Sequence, residues 1–139
     1  MKYLILFFSL FYLIQNSVAQ DGEHPLPYTY KESKYEMAPC FLGGLIALNK
    51  YISDSIRYPE PEKSKMLEGG VMLKFVVTKK GKIVNVEAIN GTPGAPNFVK
   101  EAIRLVENMP LWIPATKKGK PVDAEYYLTI PFKLNIRKQ

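Results

Sequence analysis

Histidine and cysteine each occur once in the 139 residues, as His24 and Cys40. A zinc site built from these side chains needs three or four of them, and a disulfide scaffold needs at least a pair. A Ser/His/Asp arrangement would have to use His24, which stands beside Glu23 just ahead of two prolines, Pro25 and Pro27. Glu60 with Glu62 and Asp123 with Glu125 are the close acid pairs. Glycoside hydrolysis requires two carboxylates facing across a cleft, and neither spacing delivers that, so these acids read as surface residues. Lys79-Lys80-Gly81-Lys82 and Lys117-Lys118-Gly119-Lys120 repeat one pattern. Neither has the strand-to-helix setting or spacing of a phosphate loop, and neither is interleaved with aromatics as a nucleic-acid surface would be. Solvated turns are the simple reading, with attraction to an anionic surface such as lipid head groups or polysaccharide left open. Asn90-Gly91-Thr92 fits a glycosylation acceptor and equally a turn. The inventory argues against an enzyme and implies no metal, no cofactor, no small-molecule substrate and no nucleic acid.

The elements around these residues begin with a leader. Lys2 precedes an apolar run from Tyr3 to Ile14, and Ser17-Val18-Ala19 places small residues at the −3 and −1 positions of a cleavage site before Gln20. As a helix the run rises about 18 Å, short of the ~30 Å hydrocarbon core. Residues 1–19 are expected to be a signal peptide; an inner-membrane anchor over residues 3–14 is the alternative. Removing 19 residues from 139 leaves 120, one domain by length, and losing Lys2 lowers the net charge from +6 to +5. Residues 20–36 read as a polar tether of at most about 60 Å, and residues 37–139 as the domain. Exported, Cys40 is a lone thiol that is half-buried and idle or pairs between molecules.

Within the domain the pattern changes period twice. After Gly43-Gly44, the residues Leu45, Leu48, Tyr51, Ile52 and Ile56 fall on one helical face, with Ile46 off it. Tyr58-Pro59 stops that helix, and Glu60 to Leu67 is expected to form a short second one. Val71, Leu73, Phe75 and Val77 then alternate with polar or mixed neighbours, and Gly81 supplies the positive φ of a turn into Ile83 to Ile89, where Val84, Val86 and Ala88 share a face. Asn90 to Pro96 reads as a loop. Asn97 to Asn108 is a sharply amphipathic helix with Phe98, Val99, Ala102, Ile103, Leu105 and Val106 on its apolar side. Trp112 reads as a core anchor. Val122 to Leu134 is a last strand whose Tyr126, Leu128, Ile130, Phe132 and Leu134 face inward, and whose Pro131 requires a free edge at that point. The order helix, short helix, strand, strand, helix, strand predicts an α+β, two-layer domain, a three-stranded sheet of antiparallel type packed by two or three helices. The hairpin is antiparallel; the third strand is free to run either way.

Several segments together resemble the C-terminal domain of the energy transducer TonB. They are Tyr58-Pro59; Gly69-Gly70-Val71-Met72-Leu73-Lys74-Phe75-Val76-Val77-Thr78 with its Lys79 to Val86 continuation; Ala102-Ile103-Arg104; Met109-Pro110-Leu111-Trp112-Ile113-Pro114; Gly119-Lys120-Pro121-Val122; and Tyr127 to Leu134. The Gly43-Gly44 and Ala47-Leu48 lead-in looks like versions from Bacteroidetes-type bacteria, and the resemblance spans about Met37 to Leu134. It implies a non-enzymatic periplasmic module that grips the N-terminal box of an outer-membrane TonB-dependent transporter. The box adds as a strand to the edge of the last β-strand, which agrees with the free edge read from Pro131. Tyr58 and Pro59 carry over to the family motif near that peptide, and Tyr58 reads equally well as a packed helix stop. Glu125, Tyr127, Thr129 and Lys133 stand on the outer face and would tune preference. Such a transducer also has a membrane anchor and a long proline-rich spacer; here the leader is cleavable and the tether short, so a released binding module is expected. The alternative is an assembly protein that uses the same strand to form a homodimer, with no role in energy transduction.

Overall fold

The structure is a computed structural model, and it describes residues 34–134. The expected signal peptide, its cleavage point, His24 and the tether up to residue 33 lie outside the described residues. The elements are α1 (Gly44–Ser55), α2 (Glu60–Ser64), β1 (Gly69–Val77), β2 (Ile83–Gly91), α3 (Pro96–Glu107), β3 (Ala115–Lys117), β4 (Lys120–Val122) and β5 (Ala124–Phe132). The main sheet has the order β2-β1-β5, all antiparallel, so the last strand returns alongside the first. This is the α+β architecture expected, with the third strand's direction now fixed.

Alternation drives the sheet. Val71, Leu73, Phe75 and Val77 are fully buried, and Ile130 and Phe132 meet them from β5 in the same core. Phe98, Ala102, Leu105 and Val106 of α3 cover that face. The other face carries no helix and holds Met72, the exposed Tyr127 and a Lys74–Glu87 ion pair of 3.2 Å. Trp112 is 3% exposed and closes one end, its ring set edge-on to Phe41 and Phe75.

Four sequence expectations change. Leu45 is exposed, and α1 buries Leu48 and Ile52 instead. On β2, Val84 and Ala88 do not share a buried face with Val86; Ile83 and Val86 reach the core. For Val84 the cause is a bulge: Asn85 has φ 54, and the register against β1 shifts between Lys74 and Val76, which flips the parity of the pleat on that side, while Ala88 stays in register opposite Leu73 and is exposed. The long last strand is broken at Asp123, whose carboxylate accepts the Lys79 amide N–H at 2.6 Å. Before it, the stretch read as a loop is a small β3–β4 hairpin, with Lys118 and Gly119 at positive φ in its turn.

The entering chain pairs with this hairpin. Glu36 N–H donates to the Thr116 carbonyl at 2.9 Å, and Cys40 and Ile113 exchange a pair of bonds. The Glu36 carboxylate accepts the amides of Lys118 and Gly119 at 2.7 and 2.9 Å, so the folded unit includes Glu36, one residue ahead of the expected domain start.

Candidate functional site

The edge of β5 is where the fold leaves backbone unpaired. β5 bonds to β1 alone, in an unbroken register from Gly69↔Phe132 to Val77↔Ala124. Pro131 faces Gly70 in that ladder. Proline has no N–H, so this pair exchanges no bond, and antiparallel alternation then assigns the rest. The even-numbered residues from Ala124 to Phe132 bond to β1. Glu125, Tyr127 and Thr129 turn both N–H and C=O outward, and Pro131 turns out a carbonyl only. Gly70 agrees from the other side, since its N–H leaves β5 and donates to the Thr92 hydroxyl at 2.9 Å. Among the described residues, nothing accepts from the three outward amides of β5.

Beside this edge runs α1. Asn49, Ile52 and Ser53 of α1, with Ile56 just after it, face Leu128, Thr129, Pro131 and Lys133 across a groove of about 410 Å³. Its floor is apolar, through Ile52, Ile56 and Leu128, and its rim is polar. Lys133 is the one cation lining it and makes no ion pair among the described residues. Sequence reasoning placed Thr129 and Lys133 here but missed the helical wall. The i, i+4 pairs Ile52–Ile56 and Asn49–Ser53 mark that wall, although nothing local says which strand they would face.

Glu125 and Tyr127 lie on the helix-free face of the same strand, next to Lys74. The Lys74 ammonium is held above its ordinary pKa by hydrogen bonding to Glu87 first, then by the Glu87 charge, against burial, with Glu125 and Tyr127 adding to it.

Tyr58 is placed apart from the groove. Its ring stands edge-on to Phe98 at 5.5 Å and to Phe132 at 6.0 Å, and its hydroxyl donates to the Leu67 carbonyl. Burial first, then the charges of Glu68 and Glu62, raise its phenol pKa. This is the packed helix stop. Pro59 is half-buried and borders a different open depression of about 390 Å³ with Arg57, Pro61, Asn97, Lys100, Glu101 and Arg104.

Two acids read as surface or polar-face residues are buried. Glu62, 2% exposed, accepts the backbone and side-chain N–H groups of Asn97 at 3.1 Å, capping α3. Glu101 accepts the Arg57 amide at 2.7 Å and both Nε and Nη2 of Arg104 at 2.7 Å. Burial pushes the Glu101 carboxyl up, but the hydrogen bonds from Arg104 and Arg57 and their charges outweigh it and hold the pKa below the usual range. Both carboxylates are held by hydrogen bonds within the fold.

The other candidates are also occupied. Thr92 of the Asn90-Gly91-Thr92 tripeptide accepts from Gly70 N–H and donates to its carbonyl. Cys40 is half-buried, and its thiol donates to the Phe41 carbonyl at 3.3 Å. Among the described residues no three His, Cys, Asp or Glu side chains could hold a metal ion, and no helix is long and apolar enough to cross a membrane.

Comparison with known proteins addresses the fold and the family. The family model described as Gram-negative bacterial TonB protein C-terminal matches residues 54–134, more than half of the chain. Among solved structures, the C-terminal domain of TonB from Helicobacter pylori superposes with a TM-score of 0.52 at 15% identity, covering 67% of this chain and 96% of that one. The C-terminal domain of TonB from Pseudomonas aeruginosa gives a TM-score of 0.49 at 23% identity, covering 60% of this chain and 82% of that one. No curated protein matches the chain.

Proposed function

The chain belongs to the TonB C-terminal family, and from that premise we propose that it is a non-enzymatic periplasmic binding module. Its partner in this reading is the N-terminal box of an outer-membrane TonB-dependent transporter, taken up in extended form as a fourth strand on β5 during energy-coupled uptake. One observation carries the reading: β5 offers a row of unmet main-chain groups at Glu125, Tyr127 and Thr129, on an edge that no described residue covers. Strand addition gains affinity from such groups and specificity from alternate side-chain pockets. The groove along α1 supports the second part, since it gives alternate peptide side chains an apolar floor and the Lys133 ammonium a carboxylate to meet. Tyr58 and Pro59 enter as positioning residues, through the packing of Tyr58 on Phe132 at the end of β5. Residues 1–19 are read as a removed signal peptide and the segment after them as a short tether, which gives a released module.

The test is titration of a transporter box peptide into the purified protein, with light scattering alongside. A one-to-one complex that Thr129→Pro abolishes supports the reading. Capture unchanged by that substitution sinks strand addition. A stable dimer that blocks the peptide would instead assign the edge to a second copy of the chain.

A further inference from the structure

The two lysine-rich turns that the sequence presents as a repeat lie at one end of the domain. Trp112 N–H donates to the Gly81 carbonyl at 2.8 Å, and Asp123 holds the Lys79 amide at 2.6 Å. From Asp123 the three residues of β4 lead, over about 10 Å, to the second turn at Lys117–Lys120. Glu36 is bonded to that turn, so the chain enters the described domain at the same end, next to Lys34.

Charge is segregated accordingly. The two turns and Lys34 bring seven lysines against Glu36 and Asp123, a net of +5, while the rest of residues 34–134 holds eight cations and eight carboxylates and is neutral. Both of the local carboxylates are engaged with backbone amides. None of the six turn lysines has an ion pair among the described residues, and all are exposed. The next carboxylate along β5, Glu125, is close enough to Lys74 to raise its pKa.

Apolar side chains stand exposed at the same end. The Phe41 ring lies 5.7 Å from Trp112, which touches the first turn. Directly after Phe41 come Leu42, Leu45 and Ile46, which are 65, 69 and 87% exposed. Ile46 is the most exposed large apolar side chain described, and it points away from the core that α1 covers with Leu48 and Ile52.

We propose that this end of the domain docks on an anionic lipid bilayer, the lysines at the head groups and Leu42, Leu45 and Ile46 at the acyl boundary. Lysine clusters flanked by exposed aliphatic residues suit that interface, where charge attraction and apolar burial add. A polysaccharide or a nucleic acid would reward the lysines alone and leave the leucines and isoleucine unburied. The Thr129–Lys133 end of the β5 edge lies at the other end of the strand and stays clear.

Full chain, purified as the cell processes it and with its N-terminus read by mass spectrometry, is sedimented with vesicles of phosphatidylglycerol mixed with phosphatidylethanolamine. Binding is expected, weakening as salt rises or as phosphatidylglycerol is left out. The variant K79Q/K80Q/K117Q/K118Q is expected to lose at least about tenfold, since each lysine near an anionic leaflet contributes about fivefold. L42S/I46S, which alters exposed positions alone, weakens binding at both low and high salt. Wild-type affinity in the lysine variant overturns the proposal and, where the N-terminus read is Met1, assigns binding to the apolar run at residues 3–14. So does sedimentation with peptidoglycan in preference to vesicles.

Discussion

Glu62 and Asn97, 35 residues apart, are joined by one buried carboxylate that takes both the main-chain and the side-chain N–H groups of the asparagine. α3 has no cap from Ala95, the residue before it, so Glu62 does the work a local Ser or Asp would otherwise do. The five-residue α2 exists in this position to deliver that carboxylate.

Glu62→Ala therefore removes a cap and strands the Asn97 donors, at a cost of about 2 kcal/mol. Thermal unfolding should fall by roughly 8–16 °C for a domain of this size. A loss under about 2 °C would show that solvent replaces the cap.

Glu101 gives the domain an acid-sensitive contribution. Its folded pKa is depressed relative to the ordinary 4.5, so the stabilisation is fully present above the unfolded value and is lost as pH falls through the folded one. Urea midpoints of wild type and Glu101→Gln should differ most near neutral pH and converge only once pH has fallen through the depressed folded value. A gap that stays constant with pH would assign the effect of the substitution to packing rather than charge.

Prolines scanned along β5 should show a two-residue rhythm. At Tyr127 or Thr129 the lost N–H points outward, so peptide affinity drops at least about tenfold while most of the fold's stability is kept. At Leu128 the lost N–H belongs to the β1 ladder, leaving the facing Leu73 carbonyl unmet at a cost of about 2–3 kcal/mol. Equal destabilisation at 127, 128 and 129 would contradict the assignment of inward and outward groups.

Gly81 has φ 79, and a Cβ there would overlap the carbonyl oxygen of Trp112. Gly81→Ala should cost at least about 2 kcal/mol, from the left-handed backbone together with the forced shift of residue 112. Trp112 is the single tryptophan and is buried, so red-shifted fluorescence in the variant would report the displacement directly.

The sequence was most legible where the needed information is local. The alternation of Val71 to Val77, the apolar arc of α3, the turn at Gly81 and the edge implied by Pro131 all depend on near neighbours, and all appear in the fold. Legibility failed where a distant partner decides. Glu101 is buried because Arg57 supplies an amide from 44 residues away, and Glu62 because Asn97 does so from 35. The bulge at Asn85 flips β2 without a glycine or proline to announce it. Leu45 fits the helical arc of α1, but the partners of that helix are Leu105 and Arg104, whose carbonyl and guanidinium bond to Tyr51 and Ser55 further along. The groove wall of the candidate site stayed hidden for the same reason, whereas the edge itself was readable from one proline.

That proline also gives the edge a direction. Three consecutive outward rungs of β5 offer a donor and an acceptor each, and the fourth, at Pro131, offers an acceptor alone. A guest strand slipping one rung toward Phe132 meets a step where one of its carbonyls has no amide to bind; slipping toward Ala124 it meets no such step. Pro131 thus works as a stop for sliding, fixing the alignment of whatever strand the edge accepts.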